Sequence, residues 1–335
     1  GGARVGSGHA RPLQSQRFTS APAGRTEVPM SILLKWFALV TMTIDHVGAV
    51  FGWSGLDLIP FAISQPMRII GRAAFPLYAW GLAAGWRRTR SPGRYFGNLA
   101  ACAVFSQLPF TLALYGANLH PSGAVPFYFD FRPGYVLLGL GLSAAVGWLA
   151  RSRAAAFWTF LAAALAGLQL KAGGFWLWAG EDLNVLYTLA LAAACLGLRD
   201  SWRGWGFAQR ATAATALAAA LAFLGLRADY GTGFVGLLLV LGLALLGRAQ
   251  RPGPAQAVFV LAWGAVFYGC YQQNWPMLAG LLLPAALIAA QGGMASAGLP
   301  ARRWNPGWKH FFYAWYPAHL LVLGVLSAWL RPAGQ

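Results

Sequence analysis

The chain has 335 residues, of which 58% are hydrophobic and only 10% are charged, and its mean hydropathy is +0.53. Soluble domains carry about 25% charged residues, so this composition excludes an ordinary soluble protein and is typical of a membrane protein. The formal net charge is +17, but the basic residues lie mainly in short segments between apolar runs, where they set topology. We therefore expect a lipid bilayer around the chain and no nucleic-acid partner.

The first 29 residues differ from the rest of the chain. They are rich in Arg, Gly, Ser, Pro and Thr and contain no apolar stretch. Such a composition cannot bury a core, and it also lacks the apolar region of a signal peptide. The sequence therefore predicts a disordered cytoplasmic tail over 1–29 and a single transmembrane domain over 30–332.

Apolar runs dominate the remainder of the chain. A helix needs about 20 apolar residues to cross a bilayer, and fewer when its flanking residues reach the interface. The runs predict an all-α, polytopic membrane helix bundle with about eleven transmembrane helices (10–11). The predicted spans are 32–53, 69–86, 97–117, 133–150, 154–172, 183–198, 209–226, 231–247, 256–272, 276–292 and 310–330.

Basic residues are concentrated in every second loop between these spans. The loop after the second span, for example, contains Arg87, Arg88, Arg90 and Arg94, whereas the intervening loops carry few basic residues. Because basic loops stay in the cytoplasm, this alternation predicts a cytoplasmic N-terminus.

The first span contains three ionisable residues, Lys35, Asp45 and His46. Ionisable groups within a bilayer are costly and usually mark a pathway or a reaction site. An unperturbed imidazole titrates near neutral pH, so His46 is a candidate general base. Asp45 points about 100° away from it on a helix, so Asp45 either orients His46 indirectly or pairs with an arginine of the next span.

Two arginines open the second span. Arg68 and Arg72 are four residues apart and share one helix face. Guanidinium groups bind phosphate or carboxylate through two hydrogen bonds. The alternatives are a pair that reaches to the membrane interface and an ion pair with Asp45 or Asp57.

Other polar residues occur near the ends of later spans. Each of these residues is a candidate helix cap, and capping is the favoured interpretation for Asp182 and Asp229. Asn184 is also a candidate donor facing a cavity. In the last span Tyr316 and His319 share a face, and His319 is a second candidate base, a substrate contact or a packing residue. The three cysteines each lie alone in an apolar run and predict no metal site: Cys102, Cys195 and Cys270.

Four segments of the chain are similar to one known family: 34–48, 68–76, 183–189 and 311–319. Together they resemble the TraX family, whose members are bacterial inner-membrane proteins named for acetylating the amino terminus of F-type conjugative pilin. The resemblance implies a location in the bacterial inner membrane and a pilin-like acceptor.

A wider resemblance concerns integral-membrane acyltransferases that O-acetylate surface polysaccharides. Those enzymes carry a basic residue, ten intervening residues and a catalytic His on the first helix, followed by an Arg-x-x-x-Arg motif. Lys35 and His46 have that spacing, with Lys in place of the usual Arg, and Arg68 and Arg72 fit the second motif. Heparan-type transmembrane N-acetyltransferases are similar in plan.

The resemblance implies an acetyltransferase that moves an acetyl group from acetyl-CoA to an amine or hydroxyl, on a pilin subunit or a cell-surface glycan. The expected catalytic residues are His46 and Asp45. The residues expected to bind acetyl-CoA are Lys35, Arg68, Arg72, Arg87 and Arg88, and those expected to bind the acceptor are Asn184, Tyr316 and His319.

Two alternatives stay open. Clusters of Asp, His and Arg also build proton relays, so a proton-coupled secondary transporter is the rival function, and a structural scaffold is the third. The predicted topology also places Arg68 and Arg72 toward the outer end of the second span, whereas acetyl-CoA arrives from the cytoplasm. Either these arginines contact the acceptor, or residues 54–68 fold back.

Overall fold

The computed structural model describes residues 32–53, 57–115, 171–172, 175–176, 184–207, 210, 232–249, 251–296 and 306–330. Over these residues the fold is a bundle of nine α-helices. They are α1 (Ile32–Gly52), α2 (Phe61–Gly71), α3 (Ala74–Arg88), α4 (Pro92–Tyr115), α5 (Val185–Ser201), α6 (Thr232–Leu246), α7 (Pro252–Gly264), α8 (Ala279–Ser296) and α9 (Pro306–Trp329).

Short elements complete the described chain. The segments Trp202–Gly204 and Trp275–Leu278 are 3₁₀ turns, and a π-helix, Ala265–Tyr271, continues α7. Two antiparallel two-residue strands, β1 (Lys171–Ala172) and β2 (Phe175–Trp176), pair Lys171 with Trp176.

Three described helical segments are long and apolar enough to cross a membrane: Ile32–Gly52, Pro252–Cys270 and His310–Trp329. These apolar helices indicate a membrane protein, and the predicted all-α architecture is confirmed. The predicted number of about eleven helices is not confirmed. The predicted tail 1–29 and the spans 133–150, 154–172 and 209–226 lie outside the described residues, apart from Lys171–Ala172 and Arg210.

The second predicted span, 69–86, is wrong as a continuous helix. Helix α2 ends at Gly71, Arg72 and Ala73 form a turn, and α3 begins at Ala74. The hydropathy pattern did not predict α2, because this helix contains the polar residues Ser64, Gln65 and Arg68. At a rise of 1.5 Å per residue its 11 residues span about 16 Å, roughly half of a bilayer core.

Glycines allow α2 to pack closely along α1. A Cβ atom on Gly48 would lie 3.0 Å from the Cβ of Met67, and one on Gly52 would overlap Ser64. On the α2 side, a Cβ on Gly71 would overlap the Asp45 side chain. Small residues at a helix contact let the backbones approach, as in other membrane helix pairs. This contact places Arg68 and Arg72 beside Asp45.

The bundle has two apolar clusters. The larger one is formed mainly by α3, α5, α6, α7 and α8, and it contains the fully buried Leu77, Leu191 and Leu239. The smaller cluster lies between α1, α4 and α9 and contains Met42, Phe110 and Leu320. The candidate site is built around this smaller cluster.

Candidate functional site

Two histidines from opposite ends of the chain meet in the bundle. The Nδ1 atom of His46, on α1, lies 2.7 Å from the Nε2 atom of His319, on α9. The planes of the two rings are nearly parallel, at an angle of 11°, with 5.0 Å between the ring centroids. Only 9% of His46 and 6% of His319 is exposed. Sequence reasoning singled out both residues but did not predict their contact.

The His319 ring is held from its other side. Its Nδ1 atom lies 2.7 Å from the carbonyl oxygen of Trp315, one helical turn back. The Trp315 ring stacks on His319 at 11°, with 6.1 Å between the ring centroids. The indole N–H of Trp315 donates to the hydroxyl of Thr43, at 3.1 Å, and that hydroxyl donates to the carbonyl of Leu39, at 2.9 Å. Helix α9 is thereby fixed against α1.

Tyr316 packs against both histidines. Its ring is edge-on to both imidazoles, 6.0 Å from His46 and 5.7 Å from His319 between centroids. Only 5% of Tyr316 is exposed. The predicted acceptor contacts Tyr316 and His319 therefore lie at one place with the predicted base, and their binding of an acceptor stays a prediction.

Pro317 gives this part of α9 an additional anchor. Proline has no N–H, so the carbonyl of Tyr313, four residues earlier, lacks its usual helical donor. The thiol of Cys102, on α4, donates to this carbonyl at 3.4 Å. The hydrogen bond that the Tyr313 carbonyl loses because of Pro317 is thus replaced by one between α4 and α9.

The second part of the site is a charged triad, Asp45, Arg68 and Arg72. One carboxylate oxygen of Asp45 accepts from Nη1 of Arg68 and the other from Nη2 of Arg72, each at 2.8 Å. The side-chain exposures are 15% for Asp45, 16% for Arg68 and 17% for Arg72. This confirms the alternative in which Asp45 pairs with the arginines. The triad carries one net positive charge, and its binding of acetyl-CoA stays a prediction.

Aromatic rings flank both guanidinium groups. The guanidinium carbon of Arg72 lies 5.9 Å from the ring centroid of Tyr268, and that of Arg68 lies 5.8 Å from Trp53. Tyr268 belongs to the π-helix, an element often found at functional sites. Sequence reasoning missed Tyr268 and Trp53, because neither carries a charge and a π-helix leaves no hydropathy signal.

The triad and the histidine pair are adjacent through α1. Asp45 and His46 are consecutive, so their side chains diverge by about 100° around the helix. Asp45 turns toward α2 and His46 toward α9.

An apolar groove of about 350 Å³ lies between α1, α2 and α9. This volume is within the range of small-ligand pockets. The hydroxyl of Thr43 in its wall is already bonded to Trp315, so the groove suits an apolar group. Its lining residues are Leu39, Val40, Thr43, Ile44, Val47, Met67 and Trp315.

Asn184 caps a helix, which is one of the roles that the sequence left open for it. Its side-chain oxygen accepts from the N–H of Leu186 at 3.0 Å and caps α5, while its amide donates to the carbonyl of Ala103 on α4 at 2.8 Å. Only 1% of Asn184 is exposed. These bonds explain its burial, and a contact with substrate stays a prediction.

The remaining predicted residues lie along helices that reach the site. Lys35 is in the first turn of α1, and Arg87 and Arg88 end α3. Because α3 begins two residues after Arg72, its length places Arg88 about 20 Å from the triad. The guanidinium of Arg87 lies against Gly247, which follows α6. Their binding of acetyl-CoA stays a prediction.

The chain matches one protein-family model, described as TraX protein, over residues 31–177 and 163–327. The matched regions contain both histidines and the whole charged triad. No curated protein and no solved structure matches the chain.

Proposed function

The chain belongs to the TraX family, and on that premise we propose that it is an integral-membrane acetyltransferase that uses acetyl-CoA. Membership of this family fits a role in pilin-related processing. The observation that carries the proposal is the buried His46–His319 pair, placed one residue from a positively charged triad. A base and an adjacent positive charge are what acyl transfer requires.

The reaction begins when an acceptor amine attacks the carbonyl carbon of the acetyl thioester. His46 takes a proton from the amine nitrogen as the new C–N bond forms. The C–S bond then breaks, and the thiolate of CoA leaves with the proton that His46 returns. The products are an N-acetyl group and free CoA, without any redox change. A hydroxyl acceptor would follow the same steps and give an ester.

The triad supplies the electrostatic part of this proposal. Its net positive charge attracts the anionic groups of acetyl-CoA or stabilises the oxygen that becomes negative during the attack. Both oxygens of Asp45 are bonded to arginines. In this proposal Asp45 therefore holds the two guanidinium groups in place, while His319 is hydrogen-bonded to His46.

The proposed setting is the bacterial inner membrane, with the N-terminus in the cytoplasm and with Arg87 and Arg88 attracting the phosphates of acetyl-CoA. The proposed acceptor is the amino terminus of a pilin subunit, with a cell-surface glycan as the alternative.

Transfer of a labelled acetyl group tests the proposal. The full chain, purified in detergent, is incubated with acetyl-labelled acetyl-CoA and a pilin-like peptide that has a free amino terminus. We expect labelled peptide from the wild type and a loss of about 10²–10⁴-fold in His46→Ala, the usual contribution of a general base. The matched control is His310→Ala, because His310 is exposed near the start of α9.

Two results would overturn the proposal. One is a wild type that neither binds nor hydrolyses acetyl-CoA, with peptides and glycans both supplied. The other is a His46→Ala variant that transfers acetyl at the wild-type rate. Because buried His, Asp and Arg residues also form proton relays, proton uptake in proteoliposomes would then test the transporter alternative.

A further inference from the structure

We infer that His319 is a positioning residue that fixes the tautomer of His46, keeping the proton on Nδ1 and leaving Nε2 as the basic atom. This inference rests on the proposed function, in which His46 is the base. It assigns His319 a role different from the acceptor contact expected from the sequence.

The direction of these hydrogen bonds is set by the backbone carbonyl of Trp315, which has no proton to donate. The carbonyl oxygen of Trp315 can only accept, so the Nδ1 atom of His319, 2.7 Å away, carries a proton. A neutral imidazole has one N–H, and therefore Nε2 of His319 has a lone pair. Because Nδ1 of His46 lies 2.7 Å from that atom, it must be the donor.

Burial keeps both rings neutral at rest. His46 is 9% exposed and His319 is 6% exposed, within helices apolar enough to cross a membrane. An imidazolium in such surroundings is expensive. With both rings neutral, the chain of bonds runs from His46 Nδ1–H to His319 Nε2 and from His319 Nδ1–H to Trp315. Within the described part of the chain, Nε2 of His46 is the one nitrogen of the pair whose lone pair is not used in a hydrogen bond.

The same bond also serves the protonated state. When Nε2 of His46 accepts the proton of the acceptor amine, its Nδ1–H becomes the donor of a charge-assisted bond to His319, which is stronger than a neutral one. Without an acceptor at position 319, a buried Nδ1–H would be unpaired, and His46 would shift toward the Nε2–H tautomer. That tautomer presents a proton where the reaction needs a lone pair.

Nitrogen-15 NMR of histidine-labelled protein in lipid bilayers tests the inference without any assay of activity. The chain has five histidines, and the His46 and His319 signals are identified by their loss in His46→Gln and His319→Gln. In the wild type we expect both residues as the Nδ1–H tautomer. Wild-type His46 with its proton on Nε2 would overturn the inference.

Two variants at position 319 differ in whether they keep an acceptor for the Nδ1–H of His46. In His319→Gln the amide NH₂ faces the Trp315 carbonyl, so the amide oxygen accepts from His46 and the Nδ1–H tautomer remains. In His319→Leu no acceptor is present, and we expect His46 to populate the Nε2–H tautomer. An unchanged His46 spectrum in His319→Leu would contradict the inference, and His310→Gln is the control that should move neither signal.

The steady-state kinetics of these two variants distinguish a positioning role of His319 from other roles. We expect His319→Gln to keep kcat within about tenfold of wild type, and His319→Leu to lose about 10²–10⁴-fold in kcat with KM unchanged, as for a base in the wrong tautomer. Equal losses in both variants would refute a positioning role. If the wild type transfers no acetyl group, the proposed function fails, while the NMR result still decides whether His319 fixes the tautomer.

Discussion

Helix α1 carries two consecutive polar residues that belong to different helix contacts. Asp45 joins α2 through two arginines, and His46 joins α9 through one histidine. The first contact is charged, with side chains that are 15–17% exposed. The second is uncharged and aromatic, with residues that are 6–9% exposed. Within one turn of one helix, the charged residues are half-buried and the two histidines are buried.

This difference follows from the cost of desolvation. A buried charge must be compensated by partners and retained solvation, whereas a neutral imidazole needs only its hydrogen bonds. At the charged contact, the free energy of unfolding is therefore expected to fall most when one charged partner is removed. At the neutral contact, it is expected to fall when a hydrogen bond is removed.

The largest effect on stability is expected from the charged contact. Asp45→Ala leaves two guanidinium groups facing each other without a carboxylate, and we expect a loss of about 2–4 kcal/mol in the free energy of unfolding. Arg68→Gln leaves Asp45 paired with Arg72 and should cost less, about 1–2 kcal/mol. Denaturant unfolding in detergent measures both. Equal losses in the two variants would contradict the triad.

A steric change at the same contact should have the next largest effect. In Gly71→Ala the new Cβ would overlap the Asp45 side chain, so α2 must move away from α1, and we expect a loss of about 1–3 kcal/mol in the free energy of unfolding. The control is Gly97→Ala in α4, because a Cβ there meets nothing within 4 Å. Alanine is the better helix former, so the control should be neutral or up to about 1 kcal/mol more stable.

The smallest effect is expected at the neutral contact. Trp315→Phe removes the indole donor to Thr43 while keeping a ring beside His319, and we expect a loss of about 0.5–1.5 kcal/mol. Thr43→Val removes the acceptor of the same bond. Unfolding of the single and double variants forms a double-mutant cycle. Strict additivity of the two losses would show that this bond does not join α1 to α9.

The sequence predicted the residue types of the site well and their partners only in part. Hydropathy gave α1 as 32–53 and the last helix as 310–330, close to the observed Ile32–Gly52 and Pro306–Trp329. The pairing of Asp45 with an arginine of the next span was one of the predicted alternatives for Asp45.

The rest depended on contacts that no local pattern records. His46 and His319 are 273 positions apart, and hydropathy, which is summed along the chain, carries no information about which helices become neighbours. The short α2 was missed for a related reason, since its helical state is stabilised by packing on glycines of α1 rather than by an apolar run.

By itself, the sequence determined that this is a helical membrane chain with ionisable residues in its first and last apolar spans, because burying such residues is costly enough to stand out against an apolar background. Only the tertiary structure decided that His46 turns away from its neighbour Asp45 and binds His319. The physical reason is the 100° step of the helix, which sends consecutive side chains to different partners once α2 and α9 pack on either side of α1.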